Sequence, residues 1–294
     1  MDIQYYVTFR EVARSLNYTR AAETLGYSQP SITVQIQKLE KYYGVKLIGR
    51  EGKSLQLTPG GVQFLAYADR IVTAHMEAKY LFSAQDEVEL KIGTIETMTA
   101  YFLPPYLQQM KRQFPNSSLT IIPSNEPDIM DQVKKGSLDI GIILDPHYSD
   151  PQLRTIAIRR EELIVVCPPG HELLKRREIS ISELADSQLL LTEKGCTYRS
   201  ALEQQLEDQR VHYQVISELG SIEAIKQCIR IGLGIALIPK ITVQTELDKG
   251  QLGAIPLAEG SLPDFYTQII LSKNKFITPA LEHFISLLTS TGES

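Results

Sequence analysis

The sequence predicts a mixed fold, with an all-α domain at the amino end, one long helix, and a larger α/β part in two subdomains. Residues 1–58 contain short amphipathic helical segments separated by glycine and polar residues. Residues 59–87 continue with a single apolar stripe, and after residue 88 short apolar runs alternate with helical ones. A chain of 294 residues is long enough for about two domains.

The composition, 43% hydrophobic and 22% charged, is typical of a soluble globular protein. No run of about 18 apolar residues occurs, so we expect no membrane span. The amino-terminal MDIQYYVTFREVARS lacks the apolar region of a signal peptide, which predicts a cytoplasmic protein. Cys167, Cys196 and Cys228 lie far apart and the five histidines are scattered, so we expect neither a disulfide framework nor a metal site.

Charge is distributed unevenly along the chain. The net charge is −5, yet residues 1–58 hold eight Lys/Arg against five Asp/Glu, a net +3. The remaining residues therefore carry −8. A basic segment joined to an acidic body is expected when one end of a protein meets a polyanion.

Three helices are predicted in the basic segment. Residues 3–15 place apolar side chains at helical spacing. Asn17 and Thr19 both favour the N-cap of a second helix, and Gly26 is of the type that ends a helix in the left-handed conformation. Ser28 suits the N-cap of a third helix, with Pro30 in its first turn, where a missing N–H is tolerated.

The third helix has an apolar side and a polar side. The residues predicted to face the core, at steps of four, three and four, are Ile32, Ile36, Leu39 and Tyr43. Away from them lie Gln29, Ser31, Thr33, Val34, Gln35, Gln37 and Lys38. Short polar groups at the start of such a helix are what a helix–turn–helix presents to DNA base edges. Periodicity alone equally allows an ordinary solvated helix face.

The next stretch, GVKLIGREGKSLQLTPGG, has two short alternating runs around a Glu51-Gly52-Lys53 turn, which predicts a two-stranded wing. Arg50 and Lys53 lie where a wing meets DNA phosphates.

These residues together resemble the LysR-type transcriptional regulators of bacteria. The resemblance rests on the run from Phe9 through Ala21-Ala22, on SQPSIT, on LEKYYGVKLIGR and on LTPGG. It implies a winged helix–turn–helix domain over residues 1–58 that binds double-stranded DNA. The predicted DNA-contacting residues are Thr19, Arg20, Ser28, Gln29, Pro30, Ser31, Thr33, Val34, Gln35, Lys38, Arg50 and Lys53. Two residues depart from the family: Val34 stands where a basic residue is frequent, and Ile48 where Phe is common.

Residues 59–87 predict one long amphipathic helix, because Val62, Leu65, Ala68 and Val72 continue a single stripe. The resemblance implies a linker helix that pairs with a second copy, in a dimer or a tetramer. A helix packed only on its own domain is the alternative.

Nine short apolar runs after residue 88 read as buried strands: ELKIGTI, LTIIP, DIGIIL, LIVVCPP, QLLLT, YQVISEL, IALIP, GAIPL and TQIILS. Their alternation with helical runs predicts parallel sheets. The resemblance implies a two-lobed effector domain over 88–294, similar to type II periplasmic binding proteins. Lobe I would comprise about 88–160 and 266–294, and lobe II about 161–265.

Ligands of open α/β sheets bind beyond the carboxyl ends of the strands. Three such ends lead into helices, whose amino ends favour anions, so we predict a small anionic effector. The predicted effector-binding residues are Thr97, Met98, Thr99, Ser124, Asn125, Gly195, Cys196, Thr197 and Tyr198. For Thr97, Met98 and the Cys196 to Tyr198 stretch, the resemblance implies the same role. Taken singly, Thr97, Ser124 and Thr197 are explained as helix N-caps.

The leading interpretation is a transcriptional regulator whose effector changes its DNA binding. A solute-binding protein is one alternative, although it leaves the first 87 residues unexplained. Redox sensing through Cys196 is another, because a helix start lowers a thiol pKa. Arg199 suits either an anionic effector or an acidic neighbour. The sequence contains no recognisable catalytic set, phosphate-binding glycine loop or cofactor motif, so we expect neither an enzyme nor a cofactor.

Overall fold

The computed structural model of the chain describes residues 1–51, 54–82 and 89–290. The chain forms two compact units, Met1–Gln85 with Asn274–Thr278, and Asp86–Lys273 with Pro279–Ser294. Within the described ranges, no helix is both long enough and apolar enough to cross a membrane.

The amino-terminal unit contains α1 Ile3–Ser15, α2 Tyr18–Leu25, α3 Gln29–Tyr43, β1 Ile48–Glu51, β2 Ser54–Leu57 and α4 Pro59–Phe82. The predicted caps begin and end its first helices. Asn17 Oδ1 accepts the amides of Thr19 and Arg20 at 2.9 and 3.1 Å, and Ser28 Oγ accepts the amide of Ser31 at 3.4 Å. Gly26 ends α2 with φ 69°, a conformation that costs glycine little. The three predicted helices and their caps are thus confirmed, with Asn17 rather than Thr19 as the N-cap of α2.

The apolar sides of these helices meet in one core. Phe9 of α1 is fully buried, and its ring stands edge-on to Phe64 of α4, 5.3 Å between ring centroids. The α3 residues buried in this core are Ile32, Ile36 and Leu39, as predicted. The last member of the stripe, Tyr43, is partly exposed, and its hydroxyl bonds that of Tyr6 at 2.7 Å. The core therefore holds α3 with its polar side turned outward.

Helix α4 begins at Pro59, as predicted, and its described part ends at Phe82. The remainder of the predicted helix, residues 83–87, lies outside the described residues. An ion pair of 2.6 Å between Arg10 Nε and Asp69 Oδ1 ties α1 to α4. Val62 and Tyr67 of α4 remain 60% exposed, so this helix leaves large apolar side chains uncovered within the amino-terminal unit.

The carboxy-terminal unit contains β3 Glu89–Thr94, α5 Pro104–Gln113, β4 Ser118–Pro123, α6 Glu126–Lys135, β5 Ile140–Asp145, β6 Leu153–Glu161, β7 Leu163–Cys167, β8 Gln188–Leu191, α7 Thr197–Asp208, β9 Gln214–Glu218, α8 Ile222–Arg230, β10 Ala236–Pro239, α9 Gln244–Asp248, β11 Gly253–Pro256, β12 Phe265–Ser272 and α10 Pro279–Thr289. A π-helix spans Met98–Phe102, directly before α5.

The first lobe of this unit is built on a five-stranded sheet in the order β4-β3-β5-β12-β6. Strand β3 runs parallel to β4 and β5, whereas β12 runs antiparallel to β5 and β6. Strand β6 leads out of the first lobe and β12 leads back into it, with Glu161 opposite Phe265. Because the chain leaves and returns along one path, these two strands run in opposite directions.

The second lobe holds a three-stranded antiparallel sheet, β10-β7-β11, and a parallel pair, β8-β9. A single bridge between Leu189 and Ile235 joins the two sheets. Val165 and Leu202 belong to the core on one side, and Ile225 and Ile229 of α8 to the core on the other. Apolar layers on both sides explain why these strands are nearly continuous apolar runs.

Each of the nine predicted runs contains a strand. The prediction of parallel sheets is right for β3 with β4 and β5 and for β8 with β9, and wrong for β7 and β12. Apolar periodicity reports burial on both faces of a strand and carries no information on strand direction. Strand β6 was not predicted, because charged residues such as Arg159 and Arg160 interrupt its apolar pattern.

Candidate functional site

The outer side of α3 carries several of the residues predicted to contact DNA. Gln29 and Pro30 are exposed, and Val34 is 46% exposed. Gln29 Nε2 donates to Thr33 Oγ1 at 3.3 Å, and Thr33 Oγ1 donates to the Gln29 carbonyl at 3.1 Å. This face offers an amide, hydroxyls and an aliphatic group, which suit adenine, several bases and the thymine methyl respectively.

Two predicted contact residues are turned toward α1 instead. The carboxamide oxygen of Gln35 accepts a hydrogen bond from the buried Thr8 hydroxyl. Lys38 Nζ donates to the Tyr5 hydroxyl at 3.4 Å and lies 5.6 Å from the centre of the Tyr5 ring. Gln35 therefore helps to fix α3 on α1, a role that the helical pattern did not indicate.

The remaining predicted DNA contacts lie at the start of α2 and on the hairpin. Thr19 and Arg20 are exposed, and their amides bond the Asn17 cap. Arg50 is exposed on β1, opposite Leu55 of β2. Lys53, the second predicted wing contact, lies outside the described residues.

A second candidate site is a small, partly open cavity of about 20 Å³ between the two lobes of the carboxy-terminal unit. Its lining residues are Ile95, Glu96, Thr97, Glu126, Thr192, Glu193, Cys196, Tyr198 and Ile222. The first four come from the carboxyl ends of β3 and β4 in the first lobe, and the others come from the second lobe. The cavity is thus built where the strand-end rule places a ligand.

Hydrogen bonds cross between the lobes near this cavity. Glu96 of the first lobe accepts the Ser221 hydroxyl at 3.2 Å and the Ile222 amide at 3.2 Å, so its carboxylate occupies the amino end of α8. Thr197 of the second lobe donates its hydroxyl to the Leu144 carbonyl at 2.6 Å. The two lobes are therefore linked by side chains of the protein itself.

The carboxyl groups beside the cavity are strongly affected by burial. Glu126 is 2% exposed, and burial raises its pKa to about 8; the charges of Asp145 and Glu193 act in the same direction. Thr197 Oγ1 lies 3.3 Å from Glu126 Oε1. Burial also raises the pKa of Asp145, at the end of β5, to about 6.

Thr192 and Cys196 line the cavity from the second lobe. Thr192 is 5% exposed, and its hydroxyl makes no well-formed hydrogen bond among the described residues, although the weakly bonding Cys196 thiol lies beside it. Burial raises the pKa of the Cys196 thiol to about 12, which corrects the expectation that a helix start would lower it. The desolvation of the thiolate outweighs the helix start here.

The structure brings three of the nine predicted effector residues to the cavity lining: Thr97, Cys196 and Tyr198. The other predicted effector residues do not line the cavity, and the bonds of several of them are to neighbouring parts of the chain. Met98 is buried, with its sulfur 3.6 Å from the Thr267 hydroxyl, and Thr99 bonds the Ile95 carbonyl at 3.1 Å. Gly195 adopts φ 97°, which favours glycine. The Ser124 amide bonds the Thr94 carbonyl at 3.0 Å.

Asn125, rather than Ser124, caps α6, with its side chain accepting the Asp128 amide at 2.9 Å. Neither Thr97 nor Thr197 caps a helix with its side chain. Thr97 nevertheless stands at the N-cap position of the π-helix, so the alternative explanation as N-caps is wrong only for Ser124 and Thr197.

Arg199 is buried and bonded to acidic neighbours of the second lobe. It lies 3.1 Å from a carboxylate oxygen of Glu203 and 3.1 Å from both oxygens of Glu218, and it donates to the Thr192 carbonyl. Of the two roles left open for Arg199, the structure therefore favours the acidic neighbour.

Sequence reasoning did not assign Glu126 and Thr192 to the site. Glu126 lies shortly after the predicted strand LTIIP, and Thr192 is the last residue of the predicted run QLLLT. Both therefore lie where open α/β sheets bind ligands, and the strand-end rule could have identified them. Across the described residues, no set of three or more His, Cys, Asp or Glu side chains is placed to hold a metal ion.

Comparison with known proteins covers both units. Residues 3–62 match the family model described as bacterial regulatory helix-turn-helix protein, lysR family, and residues 83–293 match the one described as LysR substrate binding domain. The chain is 35% identical over 295 residues to the HTH-type transcriptional regulator YwqM of Bacillus subtilis, covering 99% of both chains. It is 32% identical to YusT of the same organism, covering 97% of this chain and 95% of that one.

Among solved structures, a single-residue variant of full-length OxyR from Pseudomonas aeruginosa is similar with a TM-score of 0.71 at 24% identity. The match covers 99% of this chain and 94% of that one. At this identity the similarity concerns the fold.

Proposed function

The chain belongs to the LysR family of bacterial transcriptional regulators, which are not enzymes, and from that premise we propose that it binds a specific operator under the control of a small effector held between the two lobes. The cavity is the observation that supports effector control: it is lined from both lobes, and hydrogen bonds between the lobes lie near it. A compound bound there has different contacts with open and closed lobes, so it shifts their relative populations.

For DNA, we propose that Gln29, Thr33 and Val34 contact base edges and that Arg50 contacts phosphate. All four side chains lie outside the core of the amino-terminal unit. Ser28, Pro30 and Ser31 form the stiff first turn of α3, and Thr19 and Arg20 are the remaining exposed contacts. Gln35 and Lys38 are better explained as residues that position α3 on α1.

Self-association in a dimer or tetramer is part of the proposal. One recognition helix covers one half-site, and two-fold proteins bind two half-sites. The exposed apolar side chains Val62 and Tyr67 of α4 support a partner on that helix. A regulator of this kind acts on the cytoplasmic DNA of its cell.

For the effector, we propose contacts with Thr97, Cys196 and Tyr198, together with Glu126 and Thr192. The anionic charge predicted from helix starts has less support, because carboxyl groups line the cavity and Glu96 already occupies the start of α8. A bound anion would share the cavity with these carboxyl groups and would find the start of α8 occupied by Glu96.

Salt-titrated binding of the full-length protein to DNA upstream of its own gene tests the regulatory proposal. We expect tighter binding to that duplex than to a scrambled duplex of equal length at every salt concentration, by about 1,000-fold or more. Equal affinity for both duplexes would mean that the protein binds DNA by electrostatic attraction alone, which contradicts the proposed sequence-specific regulation.

A further inference from the structure

Three carboxyl groups surround the cavity between the lobes. Glu96 comes from the end of β3, Glu126 from the start of α6, and Glu193 from the turn after β8. They come from both lobes, so their closeness does not result from a run of acidic residues in the sequence. None of the described residues that line the cavity is Lys, Arg or His.

The cationic side chains buried in the second lobe are bound elsewhere. Arg199 is held by Glu203 and Glu218. Lys226 of α8 lies 2.7 Å from Glu246 and 2.9 Å from Glu223. Neither of these two cations lines the cavity, so neither neutralises the three carboxyl groups from within it.

Thr192 provides an independent indication of a ligand. This residue is 95% buried in the cavity wall, and among the described residues its hydroxyl has no well-formed hydrogen bond, with the weakly bonding Cys196 thiol beside it. Burying a hydroxyl without a good hydrogen bond is unfavourable, and a ligand atom in hydrogen-bond reach would recover that cost. A hydroxyl oxygen accepts a hydrogen bond from an ammonium group, as a carboxylate oxygen does.

We propose that the effector of this cavity carries an ammonium group, held by Glu126 and Glu193 with Thr192 as a further acceptor. This inference rests on the proposed effector function. An ammonium group has three donors and no acceptor, which complements a wall of carboxylate and hydroxyl oxygens. Glu96 keeps its bonds to the start of α8, so the lobes remain linked while the ammonium group is bound.

The proposal has a pH dependence that follows from Glu126. The groups that face this carboxyl are Asp145 from β5, Glu193 and Cys196 from the segment after β8, and Thr197 and Tyr198 from α7. Burial raises the pKa of Glu126 to about 8. Below that pH the carboxyl holds a proton that ammonium binding must release, so the affinity rises with pH and levels off above about 8.

The test uses three probes of similar size: butylammonium, 1-butanol and butyrate. Their dissociation constants for the full-length protein are measured by ligand-observed NMR, in the millimolar range suited to such small compounds. We expect butylammonium to bind about tenfold more tightly than butanol, and butyrate to bind weakest, because ammonium–carboxylate hydrogen bonds are charge-assisted. From about pH 6 to about pH 8, the butylammonium affinity should rise by up to tenfold per pH unit.

Two cavity variants and one control locate the site. Glu126→Gln keeps the shape of the side chain and should weaken butylammonium binding about tenfold, with butanol binding unchanged. Thr192→Val should weaken butylammonium binding several-fold with little loss of thermal stability, because the hydroxyl loses no more than a weak contact with the Cys196 thiol. Glu259→Gln, an exposed residue outside the lining, should change neither affinity.

Butyrate binding as tight as butylammonium binding, or no butylammonium binding, overturns the proposal. Butylammonium binding that survives in both cavity variants also overturns it, because the amine is then bound elsewhere. Tighter competition by calcium ions overturns it too, since it would assign the carboxylates to a metal ion instead. If the amine fails to bind but the protein still binds its operator specifically, only the ammonium class of effector is excluded. If the amine binds but DNA binding is not sequence-specific, the proposed regulatory function is excluded.

Discussion

Val34 stands exposed between polar residues on the outer side of α3. Members of the family that this sequence resembles often carry a basic residue at this position. An aliphatic side chain there suits the methyl group of a thymine and gives up one electrostatic contact. Under the proposed DNA contacts, we therefore expect base readout by this helix to depend more on Gln29, and phosphate contact more on the hairpin.

Replacing Gln29 or Arg50 by alanine should therefore change DNA binding in different ways. Gln29→Ala should cost about 1–3 kcal/mol on the cognate operator and relax the preference at one base pair. Arg50→Ala should weaken all sequences alike and lower the slope of log affinity against log salt by about one. Salt-titrated fluorescence anisotropy on the operator and its single-base variants measures both effects.

The matched control for Gln29 is Gln204→Ala. Gln204 also makes a bond to a residue four positions along its helix, at 2.8 Å to Asp208, but it lies in the carboxy-terminal unit. It should leave DNA binding unchanged. Identical losses for Gln29→Ala and Arg50→Ala would show that base and phosphate contacts have been assigned wrongly.

For Cys196, the sequence and the structure lead to opposite conclusions about the pKa of the thiol. Its position before α7 suggested an activated thiol, but burial raises its pKa to about 12, and burial likewise raises the pKa of Cys167 to about 11. The third cysteine, Cys228, is only partly buried. Redox sensing through Cys196 is disfavoured, because the thiolate is the reactive form.

In the folded protein near pH 8, iodoacetamide should therefore modify Cys228 well before Cys196 and Cys167. Peptide mass spectrometry over a time course measures this order. The same protein in urea serves as the control, where all three cysteines should react at similar rates. Modification of native Cys196 as fast as in urea would restore the redox interpretation.

The site shows how far single residues could be predicted. Thr97, Cys196 and Tyr198 were found because they follow strand ends before a helix. Glu126 was missed, because an acidic residue in the first turn of a helix is ordinarily explained by the helix dipole. Its role becomes visible only when chain segments far apart in sequence meet around one cavity.

At the scale of elements, Glu40 joins the recognition helix to the hairpin. Its carboxylate accepts the amides of Leu47 at 2.9 Å and Ile48 at 3.2 Å, and it lies 2.7 Å from Lys46 Nζ. Burial alone would raise the pKa of Glu40, but these bonds outweigh it and lower the pKa. An acidic residue in the last turn of a helix opposes the helix dipole, so its presence there is explained by these bonds.

Glu40→Gln should lower the free energy of unfolding of the amino-terminal unit by about 1–3 kcal/mol at neutral pH. Because the pKa is lowered in the folded state, this stabilisation is present above the unfolded pKa of about 4.3 and is lost as the pH falls through the folded pKa. The difference between the variant and the original protein should shrink under acid. Urea titrations at neutral and acidic pH measure it.

The control is Glu23→Gln, an exposed residue on α2 of the same unit. It should leave the urea midpoint unchanged at both pH values. A Glu40→Gln midpoint equal to that of the original protein at neutral pH would mean that the three bonds contribute nothing net.

Helices were more predictable than sheets in this chain. Caps such as Asn17 and Ser28 act within four residues, so their local sequence determines where a helix begins. The direction of β12 depends instead on the path by which the chain returns from the second lobe, near Glu161. That path is set by contacts between residues distant in sequence, so no short sequence pattern predicts the direction of β12.

In the whole molecule, each compact unit has a core of its own. Phe9, Ile32 and Leu39 belong to the core of the amino-terminal unit. The carboxy-terminal unit buries other side chains, among them Phe284 of α10 and Phe265 of β12. Units with separate cores can unfold in separate steps, because the loss of one core leaves the contacts of the other intact.

We therefore expect two transitions in scanning calorimetry, each sensitive to one core. Phe9→Ala should destabilise the amino-terminal unit by about 3–5 kcal/mol and move only its transition, since it leaves a cavity in that core. Phe284→Ala is the matched variant and should move only the transition of the carboxy-terminal unit. Loss of operator binding on heating should follow the first transition, because the proposed DNA-contacting residues lie in the amino-terminal unit. One transition shifted equally by both variants would show instead that the two cores unfold together.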